Sequence, residues 1–113
     1  MRCRRVACLD LNGDRVARVA AELAHAGAES VALACDIGDE TGVNAAVART
    51  VRRFARRDVA VNGVAIDHTV SVEEITVEQW NRVVIVSLRG PFLVAKAVWP
   101  TRRRQRAGHI VNI

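Results

Sequence analysis

The run 58–66, Asp-Val-Ala-Val-Asn-Gly-Val-Ala-Ile, constrains the fold more than any other stretch. A short apolar segment ending in Asn-Gly reads as a buried strand entering a turn. Three further segments have the same character: 5–9 before Asp10, 30–35 before Asp36, and 109–113 at the end of the chain. Between them the apolar period changes to that of a helix. Val16, Val19, Ala20 and Leu23 make one stripe of a helix that Asp14 caps or begins, that runs to about Ala26, and that Gly27 ends. Val43, Val47, Val51 and Phe54 line a second helix, opened by Asp39 and Glu40 and ending near Arg57. A short helical turn is expected at 71–75. A long helix then starts near Thr76, with Glu78 favouring its N-terminus, and runs to Trp99, where Pro100 stops it and a basic loop follows. Strands alternating with helices of this length imply right-handed βαβ units. The expectation is an α/β chain with a parallel sheet of about four strands flanked by helices, one domain over 1–113.

Composition narrows the function classes. No run approaches the roughly 18 uncharged apolar residues of a membrane span. The basic start at Met1 is not followed by the sustained apolar segment of a secretory signal. Cys3, Cys8 and Cys35 are odd in number and lack metal spacing, so reduced thiols in a cytoplasmic chain are expected. His25, His68 and His109 also lack ligand spacing, and no metal is expected. The net charge of +5 is carried almost wholly by arginine, Lys96 being the only lysine. The arginines cluster at 49–57 and 102–106, which suits either phosphate neutralisation or solvated helix ends facing a favourable dipole. At 4% aromatic residues there is little to stack on bases, so the helix-end reading is preferred and nucleic acid is not expected as a partner.

Three stretches resemble the short-chain dehydrogenase/reductases, NAD(P)-dependent Rossmann-fold oxidoreductases. The run 58–66 resembles the family's strand end "(D)-x-L-V-N-N-A-G": Asn62 matches, while Gly63, Val64 and Ala65 stand where the family has Asn, Ala and Gly. The most specific match is Trp80-Asn-Arg-Val-Val-Ile-Val-Ser-Leu-Arg-Gly-Pro-Phe92, against "W-x-x-V-x-x-V-N-L-x-G-x-F". Gly108-His-Ile-Val-Asn-Ile113 resembles the strand "G-x-I-V-N-I-S-S".

The resemblance implies a parent reaction that passes a hydride between a nicotinamide and an alcohol or carbonyl substrate. It implies cofactor contacts at Asp10 and Leu11, at Asp36 and Ile37, and at Asn62, Gly63, Val64 and Ala65. A carboxylate at the tip of a Rossmann strand accepts from both ribose hydroxyls and repels a 2′-phosphate, so Asp10 favours NAD over NADP. Asp36 stands where the family's acid meets the adenine amino group. Ser87 occupies the position of the family's catalytic Asn, whose main-chain carbonyl holds a water. Pro91, four residues on, has no N–H and would leave that carbonyl free.

The chain departs from the family where phosphates are held and protons move. The glycine-rich loop belongs about 20 residues before the acid, and Asp10 is the tenth residue. The sequence has no tyrosine, and Lys96 lies inside the long helix, so the family's Tyr-x-x-x-Lys pair cannot be formed. The family also has a strand between those at 5–9 and 58–61. Without it the two strands must either keep unpaired edges or pair directly, and marginal stability is expected. The helix carrying Trp80 and Trp99 is the family's usual dimer face, with Val83, Ile85 and Phe92 as candidates for the contact. The leading reading is thus a segment of such an oxidoreductase, inactive alone. The alternative is a non-catalytic interaction module derived from one, and a weaker third is an arginine-driven nucleic-acid binder.

Overall fold

The computed structural model describes residues 5–56 and 58–113. Cys3, and the expectation that a helix ends near Arg57, fall outside or beside the described residues. The elements run β1 (Arg5–Asp10), α1 (Gly13–His25), β2 (Glu29–Ala34), α2 (Glu40–Phe54), β3 (Val59–Asn62), α3 (Val77–Val84), a π-helical turn (Ile85–Arg89), α4 (Gly90–Gln105) and β4 (His109–Asn112).

The helix starts are set by side chains. Asn12, not Asp14, caps α1 by accepting from the Arg15 amide, and Asp39 caps α2 by accepting from the Gly42 amide. At α3, Thr76 and Gln79 form a reciprocal capping box. Gly27 follows α1 at a φ of 96°, as a C′ glycine should. The turn at 71–75 is closed by the amides of Glu74 and Ile75 donating to the Ser71 carbonyl.

Two expectations need correction. Pro100 does not stop the long helix, which continues to Gln105, so Arg102, Arg103, Arg104 and Gln105 form its last turn rather than a loop. Packing outweighs the lost N–H here. Val98, Thr101 and Arg102 are buried, and the Arg102 guanidinium donates to the Asp58 carbonyl at 3.1 Å. The four strands are parallel within each pair but form two sheets, β1 with β2 and β3 with β4. Among the described residues β1 and β3 do not pair with each other, and each has one strand partner.

The core lies on one face of the β1–β2 pair. Leu33, Cys35 and Ile37 from β2 and its exit pack with Val43 and Ala46 of α2, Val86 of the π turn and Leu93 of α4. On the other face of β1 and β2 lies α1, which buries Val16 and Ala20, while Val19 of its expected stripe stays 40% exposed. The β3–β4 pair has only one covered face. Asn62 is buried, but Val59 and Val61 on the opposite face remain 46% and 59% exposed. The stretch Val77–Gln105 is long and apolar enough to cross a membrane by length and composition, more so than the sequence pattern suggested. Val86, Leu93 and Val98 of this stretch are buried, but only 22% of its apolar window is buried inside the structure.

Candidate functional site

The expected site residues gather at the carboxyl ends of the strands, where open α/β sheets place their ligands. β1 and β2 end together: the Cys35 amide donates to the Asp10 carbonyl at 2.9 Å, so the turn at Asp36 lies beside the tip of β1.

Asp10 is engaged by its own chain. Its carboxylate accepts from the Asn12 amide at 2.8 Å and from the Arg15 guanidinium at 2.8 and 3.1 Å. The Arg15 pairing, and after it the Asn12 amide, hold the Asp10 carboxyl below its usual range. Arg15 is itself well exposed, so this is a screened surface pair that a ligand can displace. Leu11 beside it is 64% exposed, an apolar side chain offered to solvent at a strand tip.

Asp36 accepts from the Gly38 amide at 2.9 Å and from both terminal nitrogens of Arg82 at 3.3 Å. Arg82 comes from α3, so this ion pair fixes that helix over the exit of β2. Ile37 is different from what was expected of it. Its side chain is buried in the core against Gly90, leaving only its main chain to face a ligand. Burial also pushes the Cys35 thiol up, with Asp36 and Asp39 adding to the effect.

Asn62 is likewise turned inward. Its amide donates to the Asn112 side chain at 2.8 Å, and its carbonyl accepts from the Ile113 amide at 3.0 Å. It braces β3 to β4 and contributes no free side chain to a ligand. Gly63, Val64 and Ala65 follow it on an exposed segment. Ser87 reaches the same segment, its hydroxyl donating to the Ile66 carbonyl at 3.5 Å. Ser87 lies in the π turn, where the Gly90 amide donates to the Ile85 carbonyl, a five-residue step. Pro91, in the first turn of α4, has no N–H to offer the Ser87 carbonyl. Turns of the π kind are often found at functional sites.

The geometry thus brings Asp10, Leu11 and Asp36 together at one strand end, and Ser87 to the exit of β3. The profile of the short chain dehydrogenases matches residues 3–113. The chain belongs to the short-chain dehydrogenase family. It is 42% identical over 113 residues to a 2-(R)-hydroxypropyl-CoM dehydrogenase of Xanthobacter autotrophicus, covering 96% of this chain and 45% of that one. It is 30% identical to a D-threitol dehydrogenase of Mycolicibacterium smegmatis, covering 96% of this chain and 42% of that one. The chain therefore spans less than half the length of these curated relatives. Among solved structures, the NAD+-bound xylitol dehydrogenase superposes with a TM-score of 0.91 at 28% identity, over 96% of this chain and 42% of that one. A metagenomic short-chain oxidoreductase in complex with NADP gives 0.88 at 25% identity, over 96% of this chain and 49% of that one. Rossmann-type architecture and oxidoreductase ancestry follow from these matches.

For a short-chain dehydrogenase, the residues present suit one end of a dinucleotide. An exposed apolar Leu11 beside two carboxylates at adjacent strand tips suits an adenosine, whose hydroxyls and amino group are donors. The 113 residues contain no G-x-G-x-x-G run of the kind whose backbone cradles a pyrophosphate. Arg15, Arg82 and Asn112 are the residues that sequence reasoning missed. Arg82 and Asn112 meet their partners from 46 and 50 positions away, so no local pattern could announce them. Arg15 was legible in principle, since a cap at Asn12 starts α1 in the register that turns Arg15 back over Asp10.

Proposed function

We propose that this chain is the adenosine-holding segment of a short-chain dehydrogenase whose parent reaction passes a hydride between NAD and an alcohol or carbonyl substrate. The observation that carries the reading is Asp10: an accessible carboxylate at the carboxyl tip of a parallel strand, flanked by exposed Leu11 and by Asp36. Asp10 would accept from the ribose hydroxyls, Asp36 from the adenine amino group, and Gly63, Val64 and Ala65 would border the nucleotide further along. Asn62 and Ile37 would act by holding this backbone in place.

NAD is favoured over NADP because Asp10 repels a 2′-phosphate. Arg15 tempers this preference, since its guanidinium cancels part of that charge and competes with the ribose. By itself the chain is catalytically silent in this reading. It has no tyrosine, and its one lysine, Lys96, pairs with Glu40 across α4 and α2. Ser87 would contribute no more than a positioned carbonyl. A cytoplasmic setting, with the dinucleotide and a small alcohol or carbonyl as partners, accords with this reading.

Titration with ADP-ribose, followed by NMR shifts of the 10–13 and 36–38 amides, tests it. Saturable binding with a Kd of roughly millimolar is expected, weak because the phosphates lack a cradle. Asp10→Ala should abolish it, and Arg15→Ala should tighten ADP-ribose while weakening its 2′-phosphorylated analogue. Absence of any shift in the folded chain, or indifference to Asp10→Ala, would overturn the proposal.

A second reading has its own observation. Trp80, Leu88, Phe92 and Trp99 are 60–70% exposed along the α3–α4 helix, an apolar stripe suited to pairing with another such helix. An interaction module, or a homo-oligomer formed through this helix, would use it. Sedimentation of wild type against Phe92→Glu separates this from a monomeric nucleotide binder.

A further inference from the structure

We infer that Arg82 is a positioning residue for recognition of the base. It clamps the Asp36 carboxylate so that one acceptor site is left, held still for a single N–H donor, and the site thereby selects a purine that carries a 6-amino group. The inference rests on the reading that Asp36 meets the adenine amino group.

The loop 36–38 is held from within and from above. Within it, the Gly38 amide donates to Oδ1 of Asp36 at 2.9 Å, and the Asp39 amide donates to the Asp36 carbonyl at 3.0 Å. From α3, both terminal nitrogens of Arg82 donate to Oδ2 of Asp36 at 3.3 Å. The start of the π turn lies directly on the loop backbone. A Cβ added at Gly38 would sit 2.5 Å from Cγ2 of Ile85 and 3.2 Å from Oδ1 of Asp36, so helix and carboxylate occupy the space a side chain would need. Ile37, between the two, is buried against Gly90. Three consecutive loop residues thus touch one continuous helical stretch, and the loop cannot shift without it.

The acceptor sites show what the clamp leaves. An ionised carboxylate offers about four. The Gly38 amide takes one on Oδ1, and the two Arg82 nitrogens take both on Oδ2. The remaining site is on Oδ1, and 34% of the Asp36 side chain is open to solvent. An unclamped carboxylate would rotate and turn either oxygen to water, and a ligand would have to order it on binding. Clamped, it presents one acceptor in one direction. An exocyclic amino group satisfies that acceptor, and a base without one leaves it unpaired.

The exposure of the pair separates this role from a contribution to folding. Arg82 and Asp36 are 40% and 34% exposed, and an ion pair so open to water adds little stability. Arg82 variants should therefore fold, with the effect of the change appearing in ligand selection.

The experiment uses the full chain and two probes, ADP-ribose and its analogue in which hydrogen replaces the 6-amino group. Kd values are read from the amide shifts of residues 10–13 and 36–38. Wild type should prefer ADP-ribose by about tenfold, as expected for a hydrogen bond to a charged group. Arg82→Gln should reduce the preference to about threefold or less, chiefly by weakening ADP-ribose. Arg82→Lys keeps the charge without the planar fork and should fall between the two. Arg89→Gln removes an exposed arginine from the π turn of the same stretch and should leave the ratio unchanged. Amide spectra outside the loop report whether each variant is folded, and if Arg82→Gln is not, the ratio in Arg82→Lys decides. A wild-type preference that survives the Arg82 change overturns the inference and leaves the adenine reading standing. Equal weakening of both probes in Arg82→Gln also overturns it, since a cation attracting phosphates or a mere prop for α3 would act that way. If wild type binds both probes alike, or neither, the adenine reading fails and the inference falls with it.

Discussion

Gly90 lies buried where the π turn passes into α4, with its backbone against Ile37. A Cβ added there would sit 2.6 Å from Cδ1, 2.8 Å from Cγ1 and 3.4 Å from Cβ of Ile37. Gly90→Ala gains about 1 kcal/mol of helix propensity and incurs about 1–3 kcal/mol of overpacking. The larger overpacking figure applies, because the obstruction extends from the tip of Ile37 to its stem and no single rotamer change clears it. A net loss of about 1–2 kcal/mol is expected. Gly13→Ala supplies the contrast. Its Cβ would meet only the Ala34 Cβ at 3.7 Å, an ordinary contact, so it should stabilise by about 0.5 kcal/mol. Urea unfolding followed by far-ultraviolet circular dichroism measures both, since Trp80 and Trp99 are each 60% exposed and report poorly by fluorescence. At a urea slope of about 1–2 kcal/mol/M, Gly90→Ala should lower the midpoint by about 1 M. Ile37→Val removes the nearest atom, so the double variant should lose less than the sum of its parts by at least about 0.5 kcal/mol. If Gly90→Ala is as stable as Gly13→Ala, or if the double variant is additive, the close approach of α4 to the exit of β2 is wrong.

Ala55 ends α2 at a φ of 65°, a left-handed conformation that glycine adopts without strain. Ala55→Gly should therefore raise stability by about 0.5 kcal/mol in the same urea assay. Asn62→Ala breaks the bridge to Asn112 and should cost about 1 kcal/mol, with faster hydrogen exchange across β3 and β4. The Asp10 carboxyl is held below its usual 3.8, so its stabilising contribution is complete above that pH and is lost as pH falls through the lower folded-state value. Asp10→Asn should accordingly flatten the fall in urea midpoint below about pH 4 and leave the neutral-pH slope unchanged. With β1 and β3 each holding a single strand partner among the described residues, the chain alone should melt below about 50 °C, and a cooperative transition above that in a soluble monomer would refute the link between open edges and low stability.

The elements themselves were legible in the sequence because their signals are local. Apolar runs ending in Asp10, Asp36 and Asn62 mark strand tips, and Asp39 and Thr76 mark helix starts within four residues of what they bond. The resemblance at Trp80 to Phe92 located the long helix and Ser87 within it. What depends on distant partners was not legible. Pro100 signals a helix end by every local rule, and only the burial of Val98, Thr101 and Arg102 lets α4 run on. Asn62 reads as a ligand residue until Asn112, 50 positions later, takes up its amide. Ile37 looks available until α4 presents a glycine for it to pack against. Asp10 and Asp36 were identified by position; Arg15, five residues from Asp10, lies within local reach, whereas Arg82 meets Asp36 only because α3 docks on the exit of β2. The sheet shows the division most plainly. Period and turn residues determine that there are four parallel strands. That they pair as β1 with β2 and β3 with β4 rests on contacts between distant segments, which no single segment contains.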